Sequence, residues 1–253
     1  MTRRNYLPFA ICYLLLIFGL FFYSYTQVDL NLTLSQLTIW RQIQTSFQYV
    51  GWFQRPLSAL IFSVIYFLLS TFYFLLIFLV VKHKISHKQF WWLIIPASLI
   101  LIFSYNAFSY DLFNYLFDAR IVTLYHQNPY FFKALDYPLD PWINFMRWTH
   151  RIYPYGPVWL SLTVPFSFLG MGFFLPTLFL FKSLMAAAYL GTIYFMGKIM
   201  EKLNPERKPL AMVLFAFNPL VIIESLVSAH NDIVMIFFAM MSLYFLLEKK
   251  YLA

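Results

Sequence analysis

The chain has 253 residues and a formal charge of +8; 62% of its residues are hydrophobic, 23% aromatic and only 11% charged, and its mean hydropathy is +0.69. So much apolar surface excludes a water-soluble domain, whose exterior must be polar, and the strict alternation of an outer-membrane barrel is absent. The positive charge is dispersed in short clusters beside apolar runs, which reads as topology signals and not as a nucleic-acid surface.

In chain order, Arg3 and Arg4 precede an apolar run over 6–26. It is long enough to span a bilayer, too long for the core of a signal peptide, and lacks a small-x-small cleavage site, so it reads as a retained helix. Cys12, the single cysteine, lies inside it, so no intrachain disulfide can form. A polar segment, Asn31 to Arg55, leads to runs over 57–81 and 89–108. The long polar segment 109–156 follows, with Trp142, Phe145, Trp148 and Tyr153 supplying the aromatic density of helices at headgroup level. Four more apolar runs cover 157–175, 176–197, 209–228 and 233–247.

The basic clusters are Arg3/Arg4, Lys82/Lys84/Lys88, Lys198/Lys202/Arg207/Lys208 and Lys249/Lys250. The positive-inside rule assigns all four to the cytoplasm. Full crossings at both 157–175 and 176–197 would put the third cluster outside. The first of these runs contains Pro157 and Pro165 and ends in Gly170-Met171-Gly172, which interrupts a helix. The expectation is therefore a re-entrant or interfacial helix over 157–173 that returns to the outer face. The predicted fold is an all-α polytopic membrane protein: one transmembrane domain over 1–253, about six full spans plus this re-entrant helix, and an outer loop over 109–156 containing juxtamembrane helices. The N-terminus is expected in the cytoplasm.

Asp111 and Asp118 stand at the start of that loop, in SYDLFNYLFDAR. Seven residues apart, they share one face of a helix about 10 Å from each other. A carboxylate there can take a proton from a sugar hydroxyl, bind a divalent cation, or simply cap a helix and pair with Arg120 or Arg151. Asn128-Pro129-Tyr130 and Tyr153-Pro154-Tyr155-Gly156-Pro157 read as turns. His126 and His150 lack metal-ligand spacing. His230-Asn231-Asp232 either caps the last helix or faces the same cavity as Asp111. Glu224 and Lys182 lie within apolar runs, where an ionisable side chain defaults to a functional hypothesis.

The ordered set of motifs over about 105–240 resembles the GT-C superfamily of membrane glycosyltransferases, and within it the bacterial polyprenol-phosphate-mannose-dependent α-1,6-mannosyltransferases. The matching residues are Asp111, Tyr115, Asp118, the Asn128–Tyr130 turn, Tyr155-Gly156-Pro157 with Trp159, Asn218-Pro219-Leu220, Glu224, His230-Asn231-Asp232 and Met235. Two departures stand out: His126-Gln127 replaces the usual glycine before the Asn-Pro-Tyr turn, and the chain ends at Ala253, where such enzymes carry further helices. The resemblance thus implies the N-terminal module, minimal or truncated. It also implies a hexosyltransferase moving a hexose, mannose first among candidates, from a polyprenyl-phosphate donor to a glycan or lipid-linked acceptor, at the outer face of a bacterial plasma membrane, with inversion. By carry-over Asp111 is the general base. Asp118, Asn128, Tyr130, Tyr155, Glu224, His230, Asn231 and Asp232 bind substrate, and Lys182, Arg120 or Arg151 meets the phosphate. The pattern fixes no cofactor; a divalent cation, magnesium or manganese, is an option. The competing classes are a transporter or lipid-flippase subunit using Glu224 and Lys182, and an inactive truncated scaffold.

Overall fold

All regular elements are helical in the computed structural model, which describes residues 3–82 and 87–248, with the side chains of Arg3, Arg4, Asn5, His87 and Lys88 left aside. The expected cytoplasmic positions Lys84, Lys249 and Lys250 lie outside the described residues, as do the side chains of Arg3, Arg4 and Lys88.

Helix α1 (Arg3–Thr26) turns Tyr13, Ile17 and Leu20 into the bundle and leaves Ile11, Leu15, Phe18 and Phe22 exposed. The inner and outer sets each recur at three- and four-residue spacing, so one apolar helix packs on one side and offers the other to lipid. α2 (Thr38–Gln48) is strongly amphipathic, with Ile39, Trp40, Ile43 and Phe47 opposed to Arg41, Gln42, Thr45 and Ser46. It widens into a π turn, Tyr49–Phe53, before α3 (Arg55–Val81). Helix α4 (His87–Ile102) is followed by buried non-helical chain at Ser104, Tyr105 and Asn106. After α5 (Asp111–Thr123) come two short 3-10 turns, Ala134–Asp136 and Pro141–Phe145, then α6 (Pro157–Leu169) and the long α7 (Phe174–Leu203). The chain closes with α8 (Lys208–Ala216), α9 (Pro219–Ile222) continuing as a π turn over Ile223–Val227, and α10 (Asp232–Leu247).

The expectation of about six full spans is corrected. Three helices among the described residues are long and apolar enough to cross a membrane: α1 over Tyr6–Thr26, α3 and α7. A fourth crossing exists only if α8 and α9, bent by 56°, count as one broken span. The reason is interruption rather than polarity. The 89–108 run stops being helical at Ile102, and the 209–228 run breaks where Pro219 removes a donor after Asn218. α6 has 13 residues and α10 has 16, about 20 and 24 Å at 1.5 Å per residue, against a hydrocarbon core of about 30 Å. α5 also differs from an interfacial helix with one wet side. Nine of its residues, from Leu112 to Ile121, are buried.

α7 is the hub, packing against α4, α5, α6, α8 and α10. Tyr6 Oη donates to Gln89 O at 2.7 Å, joining the N-terminal ends of α1 and α4, and Lys202 pairs with Glu248 at 2.5 Å, joining the C-terminal ends of α7 and α10. At the opposite end, Tyr25 Oη donates to Phe103 O at 2.5 Å. There too lies Lys182, 1% exposed. Its Nζ donates to Ser104 O (2.9 Å), Ser104 Oγ (2.6 Å) and Val227 O (3.3 Å). Three acceptors match the three donors of an ammonium, so one side chain ties α7 to the end of α4 and to the π turn.

Replacing that side chain by an apolar one of similar length leaves three oxygens facing a dry space. Lys182→Met is expected to lower stability by about 3 kcal/mol, read as a fall in the thermal midpoint in detergent; an unchanged midpoint would show that the latch carries no weight.

Candidate active site

The last turn before α10 is built for an unusual purpose. Asn218 Oδ1 accepts from Leu220 N at 3.0 Å and so caps α9, with Pro219 at its first position. The helix then widens, Ser228 N reaching Ile223 O at 2.7 Å and His230 N reaching Glu224 O at 3.0 Å. Ala229 takes a left-handed conformation, φ 54°, which costs a residue with a Cβ about 1–2 kcal/mol. The strain folds His230 back over Glu224, and Nδ1 lies 2.6 Å from Glu224 Oε2.

On its other side His230 Nε2 faces Asp111 Oδ2 at 3.8 Å. Asp111 opens α5, its backbone N–H held by Ser109 Oγ at 3.1 Å. The result is a carboxylate–imidazole–carboxylate row assembled from two distant segments. One turn along α5 from Asp111, Tyr115 Oη donates to Asn231 Oδ1 at 3.2 Å. Asn231 occupies the cap position of α10, yet its side chain makes no capping bond; it is spent on Tyr115. Burial, then the neighbouring Tyr155 and Asp111, push the Tyr115 phenol up, so it stays a donor. Asp232 is exposed at the first turn of α10 and lines a cavity of about 310 Å³ with Glu224, His230 and Ser225.

Asp118 lies two turns along α5 from Asp111, beside Arg151 and Tyr153. Burial pushes its carboxyl up to about 7, against the opposing pull of Arg151. Tyr153 is also raised, by burial and then by the Asp118 charge. The Arg151 guanidinium lies 5.9 Å from the Tyr155 ring, and its Nε is buried without a hydrogen-bond partner. Tyr155 links the two groups of residues, its ring 5.3 Å from Tyr115 and 5.6 Å from Tyr153. Asn128 and Tyr130 serve the same wall from outside. Asn128 Oδ1 accepts from Tyr130 N at 3.0 Å, Tyr130 Oη donates to Tyr155 O at 3.1 Å, and Tyr153 N donates to Pro129 O at 2.9 Å.

Asp111, Tyr155, Glu224, His230, Asn231 and Asp232 are thus brought together, with Asp118 and Arg151 adjoining and Asn128 and Tyr130 behind. Two expected phosphate partners are elsewhere. Lys182 is the buried latch described above. Arg120 Nε pairs with Asp140 Oδ2 at 2.7 Å, its Nη1 donates to Gly172 O at 3.0 Å, and its guanidinium stacks 4.1 Å from the Trp142 ring. Gly172, at φ 78°, makes the turn between α6 and α7 that Arg120 holds.

Sequence reasoning passed over Tyr115 as a hydrogen-bonding member, although its place four residues after Asp111 puts both on one helical face. It also passed over Asp29. This buried carboxylate accepts from Asn31 N at 2.9 Å and from Tyr110 Oη at 3.4 Å, and lies 3.9 Å from Arg147. Arg147 covers the Tyr110 ring at 4.6 Å, so Asp29 and Arg147 together fix Tyr110, the residue immediately before Asp111. Among the described residues no group of three or more His, Cys, Asp or Glu side chains is arranged to hold a metal ion, and no step below runs through one.

The family model for the alpha-(1->6)-mannopyranosyltransferase N-terminal domain matches residues 14–253. The chain belongs to this family. The likeness to α-1,6-mannosyltransferases drawn from ordered motifs is thereby shown, and a mannosyltransferase of the membrane follows from the family together with the apolar helices. No curated protein and no solved structure matches the chain.

The raised Asp118 carboxyl gives this mannosyltransferase-family chain a definite pH signature. A carboxyl whose folded value, about 7, exceeds its ordinary 3.8 binds its proton more tightly when folded, so its contribution favours folding at low pH and is lost as pH rises through that window. The thermal midpoint is expected to fall between about pH 4 and about pH 7, and to fall less in Asp118→Asn. Parallel curves for the two proteins would remove Asp118 as the source.

Proposed function

We propose that the chain is a GT-C-type glycosyltransferase that moves mannose from a polyprenyl-phosphate donor to a hydroxyl of a glycan or lipid-linked acceptor, with inversion, at the outer membrane face. The observation that carries this reading is the convergence of Asp111 on the His230–Glu224 pair beside a cavity.

The acceptor hydroxyl donates its hydrogen bond to Asp111. As the hydroxyl oxygen attacks the anomeric carbon, its proton passes to the Asp111 carboxylate. The bond from that carbon to the phosphate oxygen breaks on the opposite face, and the electron pair leaves with the polyprenyl phosphate. His230, oriented by Glu224 through Nδ1, presents Nε2 towards Asp111 and holds the carboxylate in line. Asn231, held by Tyr115, and Asp232 face acceptor or donor hydroxyls. Arg151 is our choice for the leaving phosphate, because its Nε is unpartnered, whereas Arg120 and Lys182 are bound elsewhere. Asp118 beside Arg151 then tunes the charge that Arg151 presents. Segment 109–156 forms the catalytic loop.

A second mechanism has its own support in the 2.6 Å Glu224–His230 contact: a carboxylate that keeps the proton on Nδ1 frees Nε2 to act as the base. The two are separated by substitution. With purified protein, radiolabelled polyprenyl-phosphate mannose and an acceptor glycan, Asp111→Asn is expected to lower transfer by about 10²–10⁴-fold, and His230→Gln by much less. The reverse order would move the base to His230, and full transfer by Asp111→Asn would sink the assignment of Asp111.

For orientation, we propose that the site faces outward and that α6, too short to cross alone, returns to the side from which it enters. The described basic residues of the clusters, Lys82, Lys198, Lys202, Arg207 and Lys208, sit at the end of the bundle away from Asp111 and His230, as the positive-inside rule requires. Met171, exposed in the α6–α7 turn, tests this. In a Cys12→Ser background, Met171→Cys should react with an impermeant maleimide added outside sealed cells. Labelling only after the inner face is opened would reverse the arrangement.

A further inference from the structure

At the end of the bundle remote from Asp111, a cavity of about 270 Å³ opens between α4, α7 and α8. Trp91 of α4 and Tyr194 of α7 form its aromatic walls, and Lys198 and Lys208 enter from α7 and α8. Both ammoniums are drawn to one oxygen, Glu201 Oε2, at 3.5 and 3.1 Å. One carboxylate neutralises one ammonium, so the pocket keeps a single positive charge in excess. The Glu248 carboxylate of α10 does not discharge it, being engaged with Lys202. Both Lys198 and Glu201 remain substantially exposed, at 40% and 50% of their side chains, so an incoming anion can reach them.

The floor of the cavity is Gly197. A Cβ there would meet Met212 Sδ at 3.1 Å and Lys208 Cε at 3.5 Å. The missing side chain lets the lysine stem and the methionine lie flat against α7, which preserves the space below the two ammoniums.

We propose that this pocket binds the phosphodiester headgroup of an anionic phospholipid. The level is right: tryptophan and tyrosine concentrate at the membrane–water boundary, and the pocket lies at the end of a 30-residue apolar helix. The chemistry is right as well, because basic pockets between membrane helices select anionic headgroups where a phosphate can lie between two ammoniums. Glu201 acts as the occupant in the empty state, and a phosphate displaces it by offering two oxygens to two ammoniums where the shared Glu201 oxygen offers one. The lipid origin of the phosphate follows from the walls: Trp91 and the exposed Tyr194 present ring surface that a soluble phosphate has no use for and a glycerol-linked acyl chain covers. This site is independent of the transfer chemistry proposed above, and its test reads binding alone.

The test uses the full chain in neutral detergent with phosphatidylglycerol or phosphatidylcholine added at equal concentration, and follows the thermal midpoint. Phosphatidylglycerol is expected to raise the midpoint more than phosphatidylcholine does, and most of that difference should vanish in Lys198→Gln/Lys208→Gln. A control with the same charge change outside the pocket, Lys82→Gln/Arg207→Gln, should keep it. Gly197→Leu, which fills the floor and leaves every charge in place, should lose it too, with circular dichroism confirming that the helices persist. Equal shifts with the two lipids would overturn the proposal. So would equal loss in the control pair, which would mean diffuse surface charge, and so would a full shift with inorganic phosphate alone, which would mean that the lipid is irrelevant.

Discussion

One ammonium holds the two halves of the site in register. Lys182 rises from the hub helix α7 and bonds both oxygens of Ser104, where α4 has ended, and the carbonyl of Val227, where the π turn ends. A few residues beyond Ser104 the chain reaches Asp111; a few beyond Val227 it reaches His230. Burying a lysine is costly unless its donors are all met, and here meeting them requires both segments to be in place. The distance between Asp111 and its imidazole neighbour is thus set from behind, by a residue that touches neither.

A division of labour follows among the acidic groups. Asp140 and Asp29 are structural. The first binds Arg120 and caps a 3-10 turn through Trp142 N at 3.0 Å, and the second fixes Tyr110. Asp111 and Glu224 flank one imidazole, and Asp118 sits apart beside Arg151. Two carboxylates seven residues apart on one helix look equivalent in a sequence. Their surroundings set them apart: burial raises the Asp118 carboxyl, whereas Asp111 faces an imidazole across 3.8 Å.

The amount that could be read in advance varies with the range of the interaction. Helical character, the motif order and the family were legible because they rest on composition and local pattern. The set Asp111, Glu224, His230 and Asn231 could be named, but which of them touch depended on the π turn and on Ala229 at φ 54°, and no propensity announces such a turn in an apolar run. The span count failed for a related reason. Hydropathy registers apolar residues whether or not they continue a helix, so the runs over 89–108 and 209–228 looked like full crossings, whereas chain breaks at Ile102 and Asn218 divide them. Lys182 and Arg120 illustrate the converse: both were expected to meet a phosphate, whereas the partners they bind, the oxygens of Ser104 and Val227 and the Asp140 carboxylate, are long-range and invisible in the sequence.

The short helices have a consequence for the surrounding bilayer. α6 and α10, at 13 and 16 residues, cannot match a hydrocarbon layer of about 30 Å, so lipid beside them must thin or water must descend to meet them. Both outcomes lower the polar boundary on the flank where α10 begins and Asp111 sits. A headgroup tethered to a hydrophobic tail could then arrive at the carboxylate by lateral diffusion, with its tail still dissolved in the membrane. With the lipid-linked donor proposed above, the protein would bring the aqueous surface down to that substrate, sparing the work of lifting it out.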